Sequence, residues 1–253
     1  MNGLASRIIY PGASRSIDAE QVMRTLQPGE ELVWRETARG ERIGLIIRPP
    51  SGEQEWIVFF YGNGMTVADT THIRLRLGGS GYGLVCVEYA GYGVSSGSPS
   101  ESGCYRSADA AIAYLRQAST PLHQVALVGW SLGSAVATDL ASRRDVRALV
   151  LLSPLTSLPA AALDLVRLGQ VPVKAGPFNA LSRARSVNCP TLIVSGSRDR
   201  LTRPWMASEL TKALGRQARL VSLSGVGHNN LLIAGRRLWD PVRDFLASPR
   251  GRR

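Results

Sequence analysis

The sequence is organised as eight short apolar runs rich in β-branched residues, separated by segments of helical period. The runs are EELVWRET, RIGLIIR, EWIVFFY, GLVCVEY, QVALVGW, RALVLLS, PTLIVSG and ARLVSLS. This alternation predicts an α/β fold with an eight-stranded, mostly parallel sheet and helices on both faces. The first two runs are joined by ARGE, which predicts a hairpin and therefore an antiparallel start to the sheet.

Helices are predicted between the later strands. Tyr105, Ala108 and Leu115 recur at the spacing of one buried helical face. Another helix is expected to start near Thr202, with Pro204 in its first turn, where a proline is tolerated. The segment WDPVRDFLA predicts the last helix of the chain.

The composition predicts one α/β domain over residues 1–253, because 253 residues with 44% hydrophobic content can form a single large core. The three cysteines, Cys86, Cys104 and Cys189, form no pair at metal-ligand spacing and are expected to be buried thiols in a reducing compartment. No apolar run approaches the roughly 18 residues of a membrane span, and the N-terminus lacks the apolar region of a signal peptide. A cytoplasmic protein with no transmembrane segment is therefore expected.

The net charge of +11 raises the question of nucleic-acid or membrane-surface binding. Phosphate binding needs basic residues clustered on one face, whereas here they are spread along the whole chain. This distribution favours a solvated surface and predicts no nucleic-acid partner. The basic tail at Arg250, Arg252 and Arg253 could add weak affinity for acidic partners.

A long connection interrupts the alternation between the strands RALVLLS and PTLIVSG. A connection of about 40 residues is typical of a functional lid or binding loop, so a lid insertion is predicted at about 154–189. The alternative is an ordinary crossover helix with irregular flanks. The apolar residues of this segment could line an acyl pocket or serve only in packing; they are Leu155, Leu158, Leu163, Val166 and Leu168.

Two copies of the pattern G-x-S-x-G occur, and their contexts differ. The copy around Ser131 follows the strand QVALV and precedes a run of small residues with helical character. A nucleophile elbow needs this strand, tight turn and helix, with glycines that let strand and helix approach closely. The copy around Ser95 runs into GSPSESG, which predicts a loop. Ser131 is therefore the candidate nucleophile.

A serine hydroxyl needs a general base and a third group that orients that base. The chain has three histidines, of which His72 and His123 precede Ser131, and His228 follows the last strand. If the order along the chain is nucleophile, acid, histidine, then His228 is the base.

The acid must then lie between residues 131 and 228. The carboxylates in this range are Asp139, Asp145, Asp164, Asp199 and Glu209. The first two fall on or just after the helix behind Ser131 and are expected at the surface, the third falls in the lid, and the last falls inside a helix. Asp199 follows the end of a strand, at the edge where a parallel sheet presents functional side chains. It is the predicted acid.

Attack on a carbonyl also requires donors for the developing oxyanion. The backbone N–H of Leu132, at a predicted helix N-terminus, is one candidate. The second is expected in the loop after EWIVFFY, which reads YGNG. The Asn63 N–H is the preferred donor there, and the Gly64 N–H is the alternative.

The motifs GWSLGS, SGSRD, GVGH and YGNG, in their order and spacing, resemble those of the α/β-hydrolase superfamily. The stretch VEYAGYGVSSGSPSESG is similar to the segment D-Y-R-G-Y-G-x-S-x-G-x-P-S-x-x-G of a small-lidded branch, which includes depalmitoylating thioesterases and bacterial esterases. The resemblance implies an antiparallel second strand and a triad of Ser131, Asp199 and His228. The sequence departs from the pattern in two motifs: Tyr61-Gly62 stands where His-Gly is usual, and the D-Y-R-G segment reads Glu88-Tyr89-Ala90-Gly91.

These residues predict a serine hydrolase that cleaves a carboxylic ester or thioester through an acyl-enzyme, with no metal or organic cofactor. Its partner is expected to be a small-molecule or lipid-like acyl substrate, with Tyr61 as a further candidate contact. Amidase, peptidase and acyltransferase activities use the same residues. A hydrolase-fold protein that binds a ligand without turnover is the alternative from another class.

Overall fold

The computed structural model describes residues 9–51, 55–79, 81–165 and 176–248, with side chains described for all of these except 163–165. All eight predicted strands are present, in a mostly parallel sheet accompanied by helices. The strands are β1 (Glu31–Glu36), β2 (Arg42–Arg48), β3 (Trp56–Phe60), β4 (Gly83–Val87), β5 (Val125–Trp130), β6 (Ala148–Leu152), β7 (Thr191–Gly196) and β8 (Ala218–Leu223). The α/β fold class expected from the sequence is confirmed.

The α-helices of the described residues lie before the first strand, between strands and after the last strand. They are α1 (Ala19–Met23), α2 (Thr71–Gly78), α3 (Glu101–Gln117), α4 (Leu132–Ser142), α5 (Leu158–Leu165), α6 (Ala180–Ala184), α7 (Pro204–Leu214) and α8 (Arg236–Ala247). The chain divides into two compact units, residues 1–125 and residues 126–253. The single domain expected from the sequence stays a prediction.

The first unit contains the antiparallel part of the sheet. β2 pairs antiparallel with both β1 and β4, whereas β3 pairs parallel with β4. The predicted hairpin is present, because the β1–β2 pairing ends at Glu36 and Arg42 and the Thr37 N–H donates to the Glu41 carbonyl at 2.9 Å. The antiparallel second strand implied by the family resemblance is therefore confirmed.

The second unit contains parallel strands in the order β5, β6, β7 and β8. Every residue of β5, β6 and β7 is buried. Strands buried on both faces lack the polar alternation of a half-exposed strand, and this explains why their sequences read as continuous apolar runs.

Two of the predicted helices begin as their sequences indicate. Pro204 is the first residue of α7. Ser100 caps α3, and its side chain accepts a hydrogen bond from the Gly103 N–H at 3.0 Å. Ala108 and Leu115 are buried on α3 as expected, but Tyr105 is only partly buried. Its hydroxyl reaches Glu101 at 2.8 Å one turn earlier, so it lies at the margin of the buried face.

Helices α5 and α6 lie within the segment predicted as a lid. Leu155 is buried and Leu158 is half-buried. The side chain of Leu163, and all of Val166 and Leu168, lie outside the described residues. Whether this segment lines a pocket stays a prediction.

The expected surface position of Asp139 is wrong. Asp139 lies on α4 and its side chain is 3% exposed. Arg143, one turn later on α4, and Arg183, on α6, each place a nitrogen 2.8 Å from its carboxylate. The two guanidinium groups compensate the cost of burying the charge and join α4 to α6. The three cysteines are buried and free, as predicted.

Candidate active site

Ser131 lies between the end of β5 and the start of α4, in the strand, turn and helix predicted for it. Its backbone has φ 53° and ψ −118°, a conformation that non-glycine residues rarely adopt. The Ser131 N–H donates to the Leu152 carbonyl at 3.0 Å, which fixes the turn against the end of β6. A Cβ on Gly129 would come within 2.3 Å of the Gly133 carbonyl, so glycine is required where β5 and α4 meet.

The three predicted triad residues meet in one hydrogen-bonded chain. His228 Nε2 lies 3.0 Å from Ser131 Oγ, and His228 Nδ1 lies 2.8 Å from Asp199 Oδ2. The exposed fractions of Ser131, Asp199 and His228 are 8%, 3% and 9%. Both contacts therefore lie largely away from water, which strengthens hydrogen bonds that involve charge.

Asp199 is held by groups from its own turn as well as by His228. Its Oδ1 accepts hydrogen bonds from the Leu201 N–H at 2.9 Å and the Thr202 N–H at 2.8 Å. Burial acts to raise the pKa of Asp199, but the hydrogen bond and charge of His228, with a further hydrogen bond from the Thr202 backbone, bring the pKa below its usual value. The carboxylate is therefore ionised at neutral pH.

Thr202 is a residue of this cluster that the sequence analysis missed. Its hydroxyl lies 3.0 Å from Asp199 Oδ2, 3.1 Å from His228 Nδ1 and 3.0 Å from the Ser153 carbonyl. Because Thr202 is buried, these contacts fix the positions of the Asp199 carboxylate and the His228 imidazole relative to each other. A hydroxyl three residues after an acid at a strand end is the signal that could have indicated it.

The loop that carries His228 approaches the end of β7 closely. A Cβ on Gly196 would come within 2.3 Å of the Val226 carbonyl, which also accepts the Arg198 N–H at 2.8 Å. The Trp130 ring stacks on the imidazole of His228, with centroids 5.4 Å apart and an interplanar angle of 28°. The indole face therefore limits the orientations of the imidazole, a role that the sequence analysis did not assign to the residue before Ser131.

The predicted oxyanion donors lie in different units. Leu132 is the first residue of α4, and first-turn N–H groups have no acceptor within their own helix. The loop after β3 is held by residues 9–12, since the Gly12 N–H donates to the Asn63 carbonyl at 2.9 Å and the Asn63 side chain donates to the Ile9 carbonyl at 2.6 Å. This support from the N-terminal segment was not predicted.

Tyr61 and Glu88, one residue from each of the two motifs that depart from the family pattern, contact each other. The Tyr61 hydroxyl donates a hydrogen bond to the Glu88 carboxylate, and both residues are fully buried. The Tyr61 carbonyl accepts a hydrogen bond from the Tyr89 hydroxyl at 2.8 Å. The structure does not support Tyr61 as a substrate contact, because its side chain is enclosed by protein groups.

The second G-x-S-x-G copy is a loop, as predicted. Ser95 Oγ accepts a hydrogen bond from the Gly44 N–H at 2.9 Å, and Ser96 Oγ accepts one from the Arg42 N–H at 2.7 Å. Both hydroxyls therefore satisfy backbone donors of β2. Their role is structural. The loop ends at Ser100, and α3 begins at Glu101, so the prediction of a loop is wrong for the last three residues of GSPSESG.

The surroundings of the other carboxylates that were considered as the triad acid differ from those of Asp199. Asp145 is exposed after α4, and Glu209 lies on α7, where Lys212 pairs with it at 2.8 Å. Asp164 falls on α5, and its side chain lies outside the described residues. Among the described residues, no group of three or more His, Cys, Asp or Glu could hold a metal ion. Within the same residues, no helix combines the length and apolar character of a membrane span.

The sheet and the strand, turn and helix around Ser131 define an α/β-hydrolase fold. A family model described as the alpha/beta hydrolase fold matches residues 55–188, and a TAP-like protein model matches residues 170–252. The chain belongs to the α/β-hydrolase superfamily.

Relatives cover nearly the whole chain. An uncharacterised protein of Mycobacterium tuberculosis is 33% identical over 248 residues, which are 95% of this chain and 86% of that protein. The alpha/beta hydrolase domain-containing protein 17C of Xenopus tropicalis is 29% identical over 248 residues, 96% of this chain and 75% of that protein.

Solved structures show the same fold at lower identity. An alpha-beta hydrolase from Vibrio vulnificus has a TM-score of 0.76 at 19% identity and covers 97% of this chain and 94% of its own. An esterase of Pyrococcus furiosus has a TM-score of 0.74 at 16% identity, with coverage of 86% and 90%.

Proposed function

We propose that this α/β hydrolase is a serine hydrolase that cleaves a carboxylic ester or thioester through an acyl-enzyme. The observation that carries the proposal is the continuous chain of contacts from Ser131 Oγ through His228 to Asp199. A nucleophile within reach of a base, and a base oriented by a third group, is the arrangement that nucleophilic acyl transfer requires.

The proposed reaction has two halves. His228 Nε2 takes the proton of Ser131 as Oγ bonds to the acyl carbon, and it then gives that proton to the departing alkoxide or thiolate. Water next attacks the acyl-enzyme with His228 as its base, and the proton returns to Ser131 as the carboxylic acid leaves. Asp199, ionised throughout, stabilises the imidazolium in both halves. No step uses a metal or an organic cofactor.

Backbone donors stabilise the oxyanion in this proposal. The Leu132 N–H is the first donor, since it belongs to the helix that starts beside Ser131. The second is the Asn63 N–H, with the Gly64 N–H as the alternative. The contacts of the Asn63 carbonyl and side chain with residues 9–12 support this assignment, because they hold the loop without using its backbone N–H.

The substrate is proposed to be a small-molecule or lipid-like acyl compound whose chain contacts the lid segment. If Leu155, Leu158 and their neighbours form a shaped acyl pocket, hydrolysis rates of p-nitrophenyl esters will change with chain length and pass through a maximum. Matched thioesters and amides extend the comparison to the other leaving groups. A flat profile across chain lengths would reject the pocket.

Labelling with a fluorophosphonate probe tests the proposed nucleophile. Peptide mass spectrometry should find the probe on Ser131, because only a serine activated by a neighbouring base reacts quickly with it. Prior treatment with an ester substrate should slow the labelling. A protein that binds esters but leaves Ser131 unlabelled would favour the alternative, a hydrolase-fold protein that holds a ligand without turning it over.

A further inference from the structure

Glu88 follows β4 directly and contacts both ends of the loop formed by residues 61–67. At the start of this loop, the Tyr61 hydroxyl donates to the carboxylate. At its end, the Val67 N–H lies 3.2 Å from Oε1 and 3.3 Å from Oε2. A single fully buried carboxylate therefore bridges the two ends of the loop that carries the proposed second oxyanion donor.

The loop with the second G-x-S-x-G copy closes over the same carboxylate. The Val94 N–H is a further hydrogen-bond donor to it. Gly93 has φ 43°, and a Cβ added there would lie 2.1 Å from Glu88 Oε2. Glycine is thus required for this loop to pack against the carboxylate. The motif that does not carry the nucleophile instead encloses Glu88.

The middle of the loop is fixed separately. The Tyr92 hydroxyl donates to Asn63 Oδ1 at 2.7 Å, and the Thr66 N–H donates to the Asp69 carboxylate at 2.8 Å. These contacts set the local turns. Glu88 is the group that holds the two ends together.

We propose that Glu88 is a positioning residue that holds the ends of the loop 61–67 together and makes the stability of that loop depend on pH. The catalytic part of this inference rests on the proposed function, since the loop matters to turnover if it supplies an oxyanion donor. The structural part concerns residues of the first unit alone.

The titratable neighbours of Glu88 keep a fixed charge near neutral pH, whereas Glu88 itself changes charge there. Burial raises the pKa of Glu88 to about 7, although hydrogen bonds from Tyr61, Val67 and Val94 act against the shift. Burial also raises the pKa values of Tyr61, Tyr89 and Tyr92 above the ordinary tyrosine value, so these three stay neutral.

Asp69 and Arg15 are the charged neighbours. Burial acts to raise the pKa of Asp69, but hydrogen bonds from Arg15 and Thr66 lower it overall, so Asp69 stays ionised. Its negative charge adds to the upward shift at Glu88. The pKa of Arg15 is raised by its hydrogen bond to Asp69, so Arg15 stays charged.

The sign of the pH effect follows from these values. In an opened loop Glu88 is solvated and has the ordinary pKa of 4.5, whereas in the closed loop its pKa is about 7. The closed loop therefore binds the proton more tightly. Its stability is greatest below pH 4.5 and is lost progressively as the pH rises through 7.

Amide hydrogen exchange of the peptide that covers residues 61–67 measures this opening. After correction for intrinsic exchange rates, protection in the wild type should fall about tenfold between pH 6 and pH 8. Glu88→Gln keeps the volume without the titration and should remove this fall. Tyr61→Phe removes a donor that lowers the pKa of Glu88, so the fall should move to higher pH.

Glu41→Gln is the matched control. Hydrogen bonding to Arg106 is the main cause that lowers the pKa of Glu41 to about 2, so Glu41 is ionised throughout the tested range. This variant should keep the wild-type fall in protection. An equal fall in Glu88→Gln would overturn the proposal.

The kinetic measurement separates positioning from substrate binding. Displacing an oxyanion donor acts in the transition state, so Glu88→Ala, which removes the contacts of the carboxylate with both ends of the loop, should lower kcat about tenfold with little change in KM. An unchanged kcat in Glu88→Ala, with wild-type amide exchange outside the loop, would overturn the catalytic part. If the wild type hydrolyses no ester and Ser131 is not labelled, the proposed function fails, while the exchange data still decide the role of Glu88 in the loop.

Discussion

Ser131→Ala should lower kcat/KM for ester hydrolysis by about a thousandfold or more and leave the protein folded. The hydroxyl is the proposed attacking group, and its partner in the structure is His228 Nε2 at 3.0 Å. Alanine has the same backbone restrictions as serine, so the turn at φ 53° is neither relieved nor worsened. Kinetics with p-nitrophenyl acetate and a thermal melt measure the two effects.

Ser95→Ala is the matched control, since Ser95 occupies the same place in the other G-x-S-x-G copy. Its hydroxyl accepts the Gly44 N–H at 2.9 Å, so removing it leaves a buried donor unpaired and should cost about 1 kcal/mol of stability. Turnover should stay within a few fold of the wild type. The two serines are therefore expected to give opposite results, and Ser131→Ala with turnover within tenfold of the wild type would contradict the assignment.

The strands could be predicted because burial leaves a local pattern. Every residue of β5, β6 and β7 is buried, so each strand appears in the sequence as a short apolar run. The turn at Ser131 could be predicted for a similar reason, because the strand, the glycines and the helix are contiguous. Candidate roles for Asp199 and His228 followed from their order along the chain and their positions after strands.

Apart from Thr202, which lies three residues after Asp199, the groups that the sequence analysis missed act through contacts between distant segments. Asp139 was expected at the surface. Its burial depends in part on Arg183, which lies 44 residues further along the chain, so the sequence around Asp139 gave no sign of this partner. Trp130 adjoins Ser131 in sequence, but its stacking partner His228 follows the last strand. No periodicity or local motif reports such pairs, since their geometry exists only when the strand ends are brought together.

The hydrogen bond between Tyr61 and Glu88 is another contact that the sequence alone did not predict. Each position stood out separately as a departure from the family pattern, and nothing in the sequence indicated that the two side chains meet. The structure pairs them through one hydrogen bond. Two departures whose side chains contact each other are more simply explained as one altered interaction than as two independent changes.

Asp199→Asn should lower kcat by about a thousandfold to ten-thousandfold, because it reverses the proton arrangement of the imidazole. The Leu201 and Thr202 N–H groups both donate to Oδ1, so the asparagine oxygen should occupy that position and its NH₂ group the position of Oδ2. The NH₂ group would then present hydrogens to His228 Nδ1. The imidazole proton would move to Nε2, and Nε2 could no longer accept the proton of Ser131.

The effect should appear as a loss of kcat with little change in KM, since the substituted side chain keeps its size and its backbone contacts. Asp145→Asn is the matched control, because Asp145 is exposed after α4 and should retain wild-type turnover. Fluorophosphonate labelling of Ser131 should slow in parallel with kcat, because both reactions need His228 as base. Asp199→Asn with wild-type kcat would assign the acid to another residue, and Ser131 and His228 would then need a different third group.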